Sequence, residues 1–100
     1  MRYRSRSGHV ALDLDDDGTF TLWTFDESEP YLQIWVTHEG QVSRGAGALA
    51  LVAETSTRRD PRLVDPPSPE PYRGTFAVTL VHDRPVELHA FGECHPLQPA

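Results

Sequence analysis

An acidic run near the start of the chain is the first stretch whose residue types could do chemistry. Asp13, Asp15 and Asp17, followed by Gly18, spell D-x-D-x-D-G, which is how an EF-hand calcium loop begins. An EF-hand also needs a helix on either side and a bidentate glutamate at the twelfth loop position, and this sequence has neither. A calcium loop without helices, completed by an acidic residue of the next loop, is the metal-binding interpretation that remains.

The same acidic run also fits a tight β-hairpin. If residues 16–18 form a three-residue loop with the glycine in the left-handed conformation, Leu14 faces Phe20. Two positions further from the turn, Leu12 then faces Leu22. All these apolar side chains fall on one face of the sheet, and a slip by one residue would turn them outward. The hairpin explains the flanking residues without a metal, so we prefer it.

A second group of potential metal ligands lies near the C-terminus. A three-residue loop at residues 83–85 would place His89, Glu93 and His95 on one face of the following strand. These are ligand types that zinc accepts. At about 3.3 Å per residue they would spread over roughly 20 Å, too far for one ion unless a bulge brought Cys94 closer. We therefore expect surface histidines and no bound metal.

The elements that would position these residues are β-strands. Apolar and polar residues alternate with a period of two over residues 9–14, 20–25, 31–36, 76–81 and 86–91, which is typical of half-buried strands. The run GAGALALVAET predicts a further strand, with a short helix near 46–57 as the alternative because alanine and leucine favour helices.

Five prolines make residues 56–74 a proline-rich irregular loop. The 100 residues are the size of one domain, so we expect a single domain at 1–100. We predict an all-β, mainly antiparallel fold, either a small meander β-barrel or a two-layer β-sandwich.

The second predicted hairpin produces the sheet face that says most about function. With a five-residue loop at residues 26–30, Leu22 would face Ile34 and Phe20 would face Val36. The opposite face and the loop then carry residues with large apolar surfaces and polar tips: Trp23, Phe25, Tyr31, Gln33 and Trp35. Tryptophan and tyrosine of this kind are enriched where proteins meet partners.

Three interpretations of this aromatic face are open. It could be covered by a second sheet, exposed to a protein partner or a second copy of the chain, or turned toward a small-molecule pocket. We expect a non-enzymatic binding protein that uses the face to engage a protein partner or itself. The alternative is a small β-barrel that binds or converts a hydrophobic small molecule.

Composition excludes several other classes of function. The net charge of -6 argues against nucleic-acid binding, and no apolar run approaches the roughly 18 residues of a membrane helix. The basic start MRYRSRSGHV is not followed by an apolar run, and Cys94 is a single cysteine, so we expect a cytoplasmic protein without disulfides. Sequence signatures of hydrolases and of nucleotide binding are absent, and we expect no cofactor. All basic residues are arginine and asparagine is absent, as in GC-rich bacterial or phage genomes.

The run GHVALDLDDDGTFTLW, residues 8–23, resembles the strand-turn-strand opening of small lipocalin-like meander barrels, which often read G-x-Y-x-L-x-x-D-G-T-F. The resemblance covers under a fifth of the chain. The tyrosine of the pattern is not matched, and the later G-T-W strand start is replaced by GAGAL. What the resemblance implies is a meander order of strands.

Overall fold

The computed structural model describes residues 1–100 as an eight-stranded barrel. Its strands are β1 (Arg2–Ser5), β2 (Val10–Leu14), β3 (Thr19–Phe25), β4 (Trp35–Gly45), β5 (Ala48–Arg59), β6 (Glu70–Val81), β7 (Arg84–Ala90) and β8 (Glu93–Pro99), with one 3-10 turn at Pro30–Leu32. Each strand pairs antiparallel with the next, and β1 pairs with β8, which closes the sheet. The predicted all-β meander barrel is confirmed. The helix considered near 46–57 does not form, because those residues lie in β5 and in the turn before it.

The hairpin between β2 and β3 has the predicted register. Leu12 pairs with Leu22 and Leu14 with Phe20. Gly18 has a φ of 86°, a left-handed conformation that glycine adopts without strain. The acidic residues of the turn hold it in place, since Asp17 accepts hydrogen bonds from the backbone and the hydroxyl of Thr19 at 3.0 and 2.6 Å.

The predicted register between β3 and β4 is wrong by four residues. Leu22 pairs with His38 and Phe20 with Gly40, instead of with Ile34 and Val36. The chain uses the extra residues in the 3-10 turn at Pro30–Leu32, which ends at a left-handed residue. Because four is an even number, Trp35, Val36 and Thr37 keep the faces predicted for them, and a period-two pattern cannot detect the shift.

The irregular proline-rich loop is shorter than predicted. It spans residues 60–69, because β5 continues to Arg59 and β6 already begins at Glu70. Pro71 is accommodated opposite Thr55, beside an irregularity in the β5–β6 ladder, which is a place where a strand tolerates a proline.

The last hairpins also differ from the prediction. A two-residue turn at His82 and Asp83, with φ of 51° and 61°, replaces the three-residue loop, and Val78 rather than Leu80 pairs with Leu88. Positive φ at both central residues is the type I′ geometry that matches strand twist.

The core fills the barrel with inward side chains from six of the eight strands, all except β4 and β8. Its buried members are Tyr3, Val10, Leu12, Phe20, Leu22, Leu49, Leu51, Ala53, Phe76, Val78, Leu88 and Ala90. Gly40 permits β4 to approach β5 closely at an irregularity in their ladder, since a Cβ there would lie 1.9 Å from the carbonyl oxygen of Val52. The chain forms no helix with the length and apolar character needed to span a bilayer.

The two ends of the barrel differ in the lengths of their connections. The turn end carries the short connections at residues 15–18, 46–47 and 82–83. The open end carries the connections at 6–9, 26–34, 60–69 and 91–92.

Candidate functional site

A cavity of about 530 Å³ occupies the open end of the barrel. It lies where β2, β4, β6 and β8 begin and where β3, β5 and β7 end. Its inner wall is formed by inward side chains that are not part of the aliphatic core, among them Thr24, His38, Ser56 and Tyr72. The strands therefore position polar and aromatic groups where the apolar filling of the barrel stops.

His38 forms the inner wall of this cavity and has an unusual environment. Its side chain is only 4% exposed, and its Nδ1 is the one buried side-chain nitrogen or oxygen of the protein without a hydrogen-bond partner. The imidazole packs against the rings of Tyr72, Phe76 and Phe91, at centroid distances of 4.6, 5.4 and 5.6 Å. Burial lowers the pKa of His38 below its ordinary value of 6.5, so the ring is neutral at neutral pH.

Two backbone features place the aromatic rings around His38. A Cβ at Gly74 would lie 2.7 Å from Cε1 of Tyr72, so the glycine leaves room for the tyrosine ring beside the imidazole. Phe91 occupies the first position of the turn between β7 and β8 with a φ of 53°, which is a strained conformation for a bulky residue. Its ring is 58% exposed and forms part of the cavity wall.

The rim of the cavity is acidic. His9 pairs with Glu27 at 2.6 Å and His95 pairs with Glu93 at 3.4 Å. Hydrogen bonds from Ser28, and secondarily the charge of Arg58, lower the pKa of the third acidic residue, Asp26. The rim therefore carries three acidic side chains, of which only Asp26 has an arginine nearby, at 3.8 Å.

The aromatic face predicted from the sequence lies outside the barrel. Trp23 and Trp35 are half-buried on the outer side of β3 and β4, so they do not line the interior. Phe25 packs edge-on against Trp35 at 5.3 Å and also reaches the rim of the cavity. Tyr31, in the 3-10 turn, is 77% exposed.

The irregular loop at residues 60–69 lies beside this face and forms an outer groove of about 360 Å³ with it. Trp23, Gln33 and Trp35 line one side of the groove, and the loop residues Pro61 and Leu63 line the other. The start of the loop is fixed by Arg62, whose hydrogen bonds lower the pKa of Asp60 to about 2.

The potential metal ligands considered in the sequence analysis lie at separate places in the structure. Asp13 lies near Arg2, at 3.6 Å, whereas Asp15 and Asp17 accept hydrogen bonds from Thr19. The expectation that His89, Glu93 and His95 share a face is wrong. The turn at residues 91–92 reverses the chain, so Glu93 and His95 reach the cavity while His89 does not.

Sequence reasoning missed His38, Tyr72 and Phe91. The sequence signal available for His38 was its place in the period-two alternation. It shares the inward face of β4 with Val36 and Val42, and it is polar where an aliphatic residue is expected. Tyr72 fell within the segment assigned to an irregular loop, and no strand face could be assigned to it.

No family model, curated protein or solved structure matches this chain. What its fold and cavity define is a small meander β-barrel with an aromatic and acidic opening at one end.

Proposed function

We propose that this protein binds one small planar molecule in the cavity at the open end. The observation that carries the proposal is the unpartnered, buried Nδ1 of His38 in an aromatic cavity wall. Eight-stranded barrels have interiors just wide enough to be filled by side chains or to hold one small ligand. Here the core fills most of the interior, and the cavity of about 530 Å³ has the size of a small-molecule site.

The imidazole supplies the specific contact. Leaving a buried nitrogen without a hydrogen bond costs about 1–3 kcal/mol, and such groups in folded proteins call for an explanation. A ligand with a hydrogen-bonding group would pair with the neutral ring after a small reorientation of His38. The rings of Tyr72 and Phe91 offer apolar surfaces on which a planar molecule can stack.

The rim selects ligand charge. Glu27, Glu93 and Asp26 line the cavity, and like charges brought close together repel each other. The site therefore favours a neutral or cationic molecule over an anionic one, and an aromatic amine fits both the rim and the wall.

The test uses two probes of equal ring size and opposite charge, 2-naphthylmethylamine and 2-naphthylacetate. Titration calorimetry and the nuclear magnetic resonance shifts of the histidine rings should show the amine binding with one site per chain and perturbing His38. His38→Phe keeps an aromatic ring and removes both nitrogens, so it should weaken amine binding at least about tenfold, or about 1.4 kcal/mol. Trp23→Phe, on the outer face, is the matched control and should bind as the unaltered protein does.

Two outcomes would remove the proposal. One is the absence of heat and of His38 shifts at millimolar concentrations of either probe. The other is amine binding that His38→Phe leaves unchanged, since the imidazole would then contribute nothing to recognition.

A second candidate function is engagement of a protein partner, or of a second copy of the chain, by the outer groove beside Trp23 and Trp35. It is favoured by the exposure of Tyr31, Leu63 and Val64, at 77%, 64% and 99%, because apolar groups gathered on one side often mark interaction surfaces. Sedimentation analysis tests self-association: Tyr31→Ser with Val64→Ser should shift a dimer toward monomer. A chain that is monomeric at all concentrations restricts this candidate to a different protein partner.

A further inference from the structure

The outer face of the β7–β8 hairpin carries a compact group of three metal-binding side chains. Glu87 and His89 lie two residues apart on β7, and Cys94 on β8 pairs directly with His89. One ligand atom from each of the three lies within 4.8 Å of the others. The group is outside the barrel, whereas the neighbouring Glu93 and His95 point to the cavity.

We propose that Glu87, His89 and Cys94 form a binding site for a Zn²⁺ ion. Carboxylate, imidazole and thiolate are the three ligand types that zinc uses, and a thiolate beside an imidazole disfavours calcium and magnesium, which prefer oxygen. Zinc-ligand bonds of about 2.0–2.3 Å in tetrahedral geometry place ligand atoms about 3.3–3.8 Å apart. To reach that arrangement, the ligand atoms must close up from separations of up to 4.8 Å, and the Glu87 carboxylate must turn from Nε2 to the Nδ1 side of the His89 ring, where the Cys94 sulfur lies.

Hydrogen-bond partners on β6 and β8 prepare the imidazole of His89 for this role. Nδ1 of His89 lies 3.1 Å from Sγ of Cys94, so this nitrogen and the sulfur can bind the same ion. Nε2 lies 3.0 Å from the hydroxyl oxygen of Thr79 and can donate its proton there. Metal-binding histidines usually donate their second nitrogen in this way, which fixes the ring tautomer.

Metal binding would change the partners of two groups. The Cys94 thiol loses its proton to solvent and binds as thiolate, so binding weakens as the pH falls. Glu87, whose carboxylate now lies 3.1 Å from Nε2 of His89, turns to the ion while Thr79 continues to hold the ring.

The site is open rather than enclosed. Cys94 is exposed and the other two residues are half-exposed, which leaves the fourth coordination position to water. Three protein ligands and one water are typical of reactive or exchangeable zinc rather than of structural zinc. A nucleophilic thiol relay would use the same three residues. However, these residues line neither the cavity at the open end nor the outer groove, where a substrate could be held.

Cobalt substitution tests the site directly. Chelator-treated protein is titrated with Co²⁺ and then with Zn²⁺, and spectra and calorimetry are recorded. We expect one ion per chain, a thiolate-to-cobalt charge-transfer band and the strong visible bands of tetrahedral Co²⁺, all displaced by Zn²⁺. Cys94→Ser should remove the charge-transfer band, and Cys94→Ser and His89→Gln should each weaken Zn²⁺ binding about 100-fold or more. Glu87→Gln should weaken Zn²⁺ binding about tenfold. Thr79→Val removes the hydroxyl that accepts the proton of Nε2 and should weaken Zn²⁺ binding by about 10–100-fold.

His82→Asn is the control, because it removes an exposed histidine of the neighbouring turn, and it should bind both ions unchanged. Circular dichroism of each variant verifies that the barrel is folded. A spectrum without a charge-transfer band, Zn²⁺ affinity unaffected by Cys94→Ser, or one ion bridging two chains would each overturn the single-chain site.

Discussion

At the turn end of the barrel, short hairpins join the strands and aliphatic side chains fill the interior, whereas the open end replaces those side chains with polar and aromatic ones. Leu14, Val42 and Leu80 line the turn end, and Arg44 and Asp83 pair across it at 3.6 Å. The cavity at the open end is instead lined by His38 and Tyr72. Both ends have a cavity, yet the only buried side-chain nitrogen or oxygen without a hydrogen-bond partner is at the open end. The difference indicates that the unpartnered imidazole nitrogen is a particular feature of the open end and not a sign of loose packing throughout the core.

The largest expected effect is a loss of stability when the packed interior of the barrel is disrupted. Phe20→Ala removes a ring that is only 1% exposed and should lower the free energy of unfolding by about 3–5 kcal/mol. Phe91→Ala, at the open end, removes a ring that is 58% exposed, so it should reduce stability far less while weakening amine binding. Urea denaturation measures both. Equal losses of stability would mean that the two ends are packed alike.

The next effect is the pH dependence of His38. Burial lowers its pKa in the folded protein, so the unfolded chain takes up a proton first as the pH falls below about 6.5. The free energy of unfolding should then fall by up to about 1.4 kcal/mol per pH unit until the folded-state pKa is reached. Denaturation between pH 7 and pH 5 is compared with His38→Phe, which lacks this contribution. If the free energy of unfolding depends on pH identically in the two proteins, the lowered pKa of His38 is contradicted.

A smaller effect is expected where Gly74 supports the cavity wall. Gly74→Ala forces the ring of Tyr72 away from the imidazole, because the added Cβ would lie 2.7 Å from it. We expect amine binding to weaken several-fold while stability changes by less than about 1 kcal/mol, since the displaced ring is at a half-exposed position. Calorimetry and urea denaturation separate the two quantities. Unchanged binding would remove Tyr72 from the site.

The smallest expected effect is a change in the pKa of Asp17, in the hairpin between β2 and β3 at the turn end. A hydrogen bond from the Thr19 hydroxyl is the main cause of the lowered pKa of Asp17. Thr19→Val should raise that pKa toward its ordinary value of 3.8 without altering amine binding. Carboxyl resonances followed through an acid titration provide the measurement. A change in amine affinity would show that the two ends are coupled.

The predictable part of the fold was its local part. Period-two alternation and the glycine of the first turn were enough for β2, β3 and their register, because those residues are adjacent in the chain. The register of β4 depends on how residues 26–34 fold into a 3-10 turn, which no alternation pattern encodes. The cavity depends on that register and on β6, so His38 and Tyr72 could not be brought together from the sequence. The outer position of the aromatic face could be predicted, because the period-two alternation alone determines which face of the sheet a side chain is on. Its role as an interaction surface stays a prediction.

The closure of the barrel rests on its shortest strand. β1 has four residues, whereas β4 and β5 have 11 and 12, and β1 alone joins β8 to β2. The amides of β1 should therefore exchange with solvent through the least costly partial opening of the molecule. When β1 detaches, the closed sheet becomes an open one with two unpaired edges, and exposed edges are templates for aggregation. We therefore expect resistance to aggregation to depend on how firmly the one short strand β1 stays paired, rather than on the stability of the whole barrel.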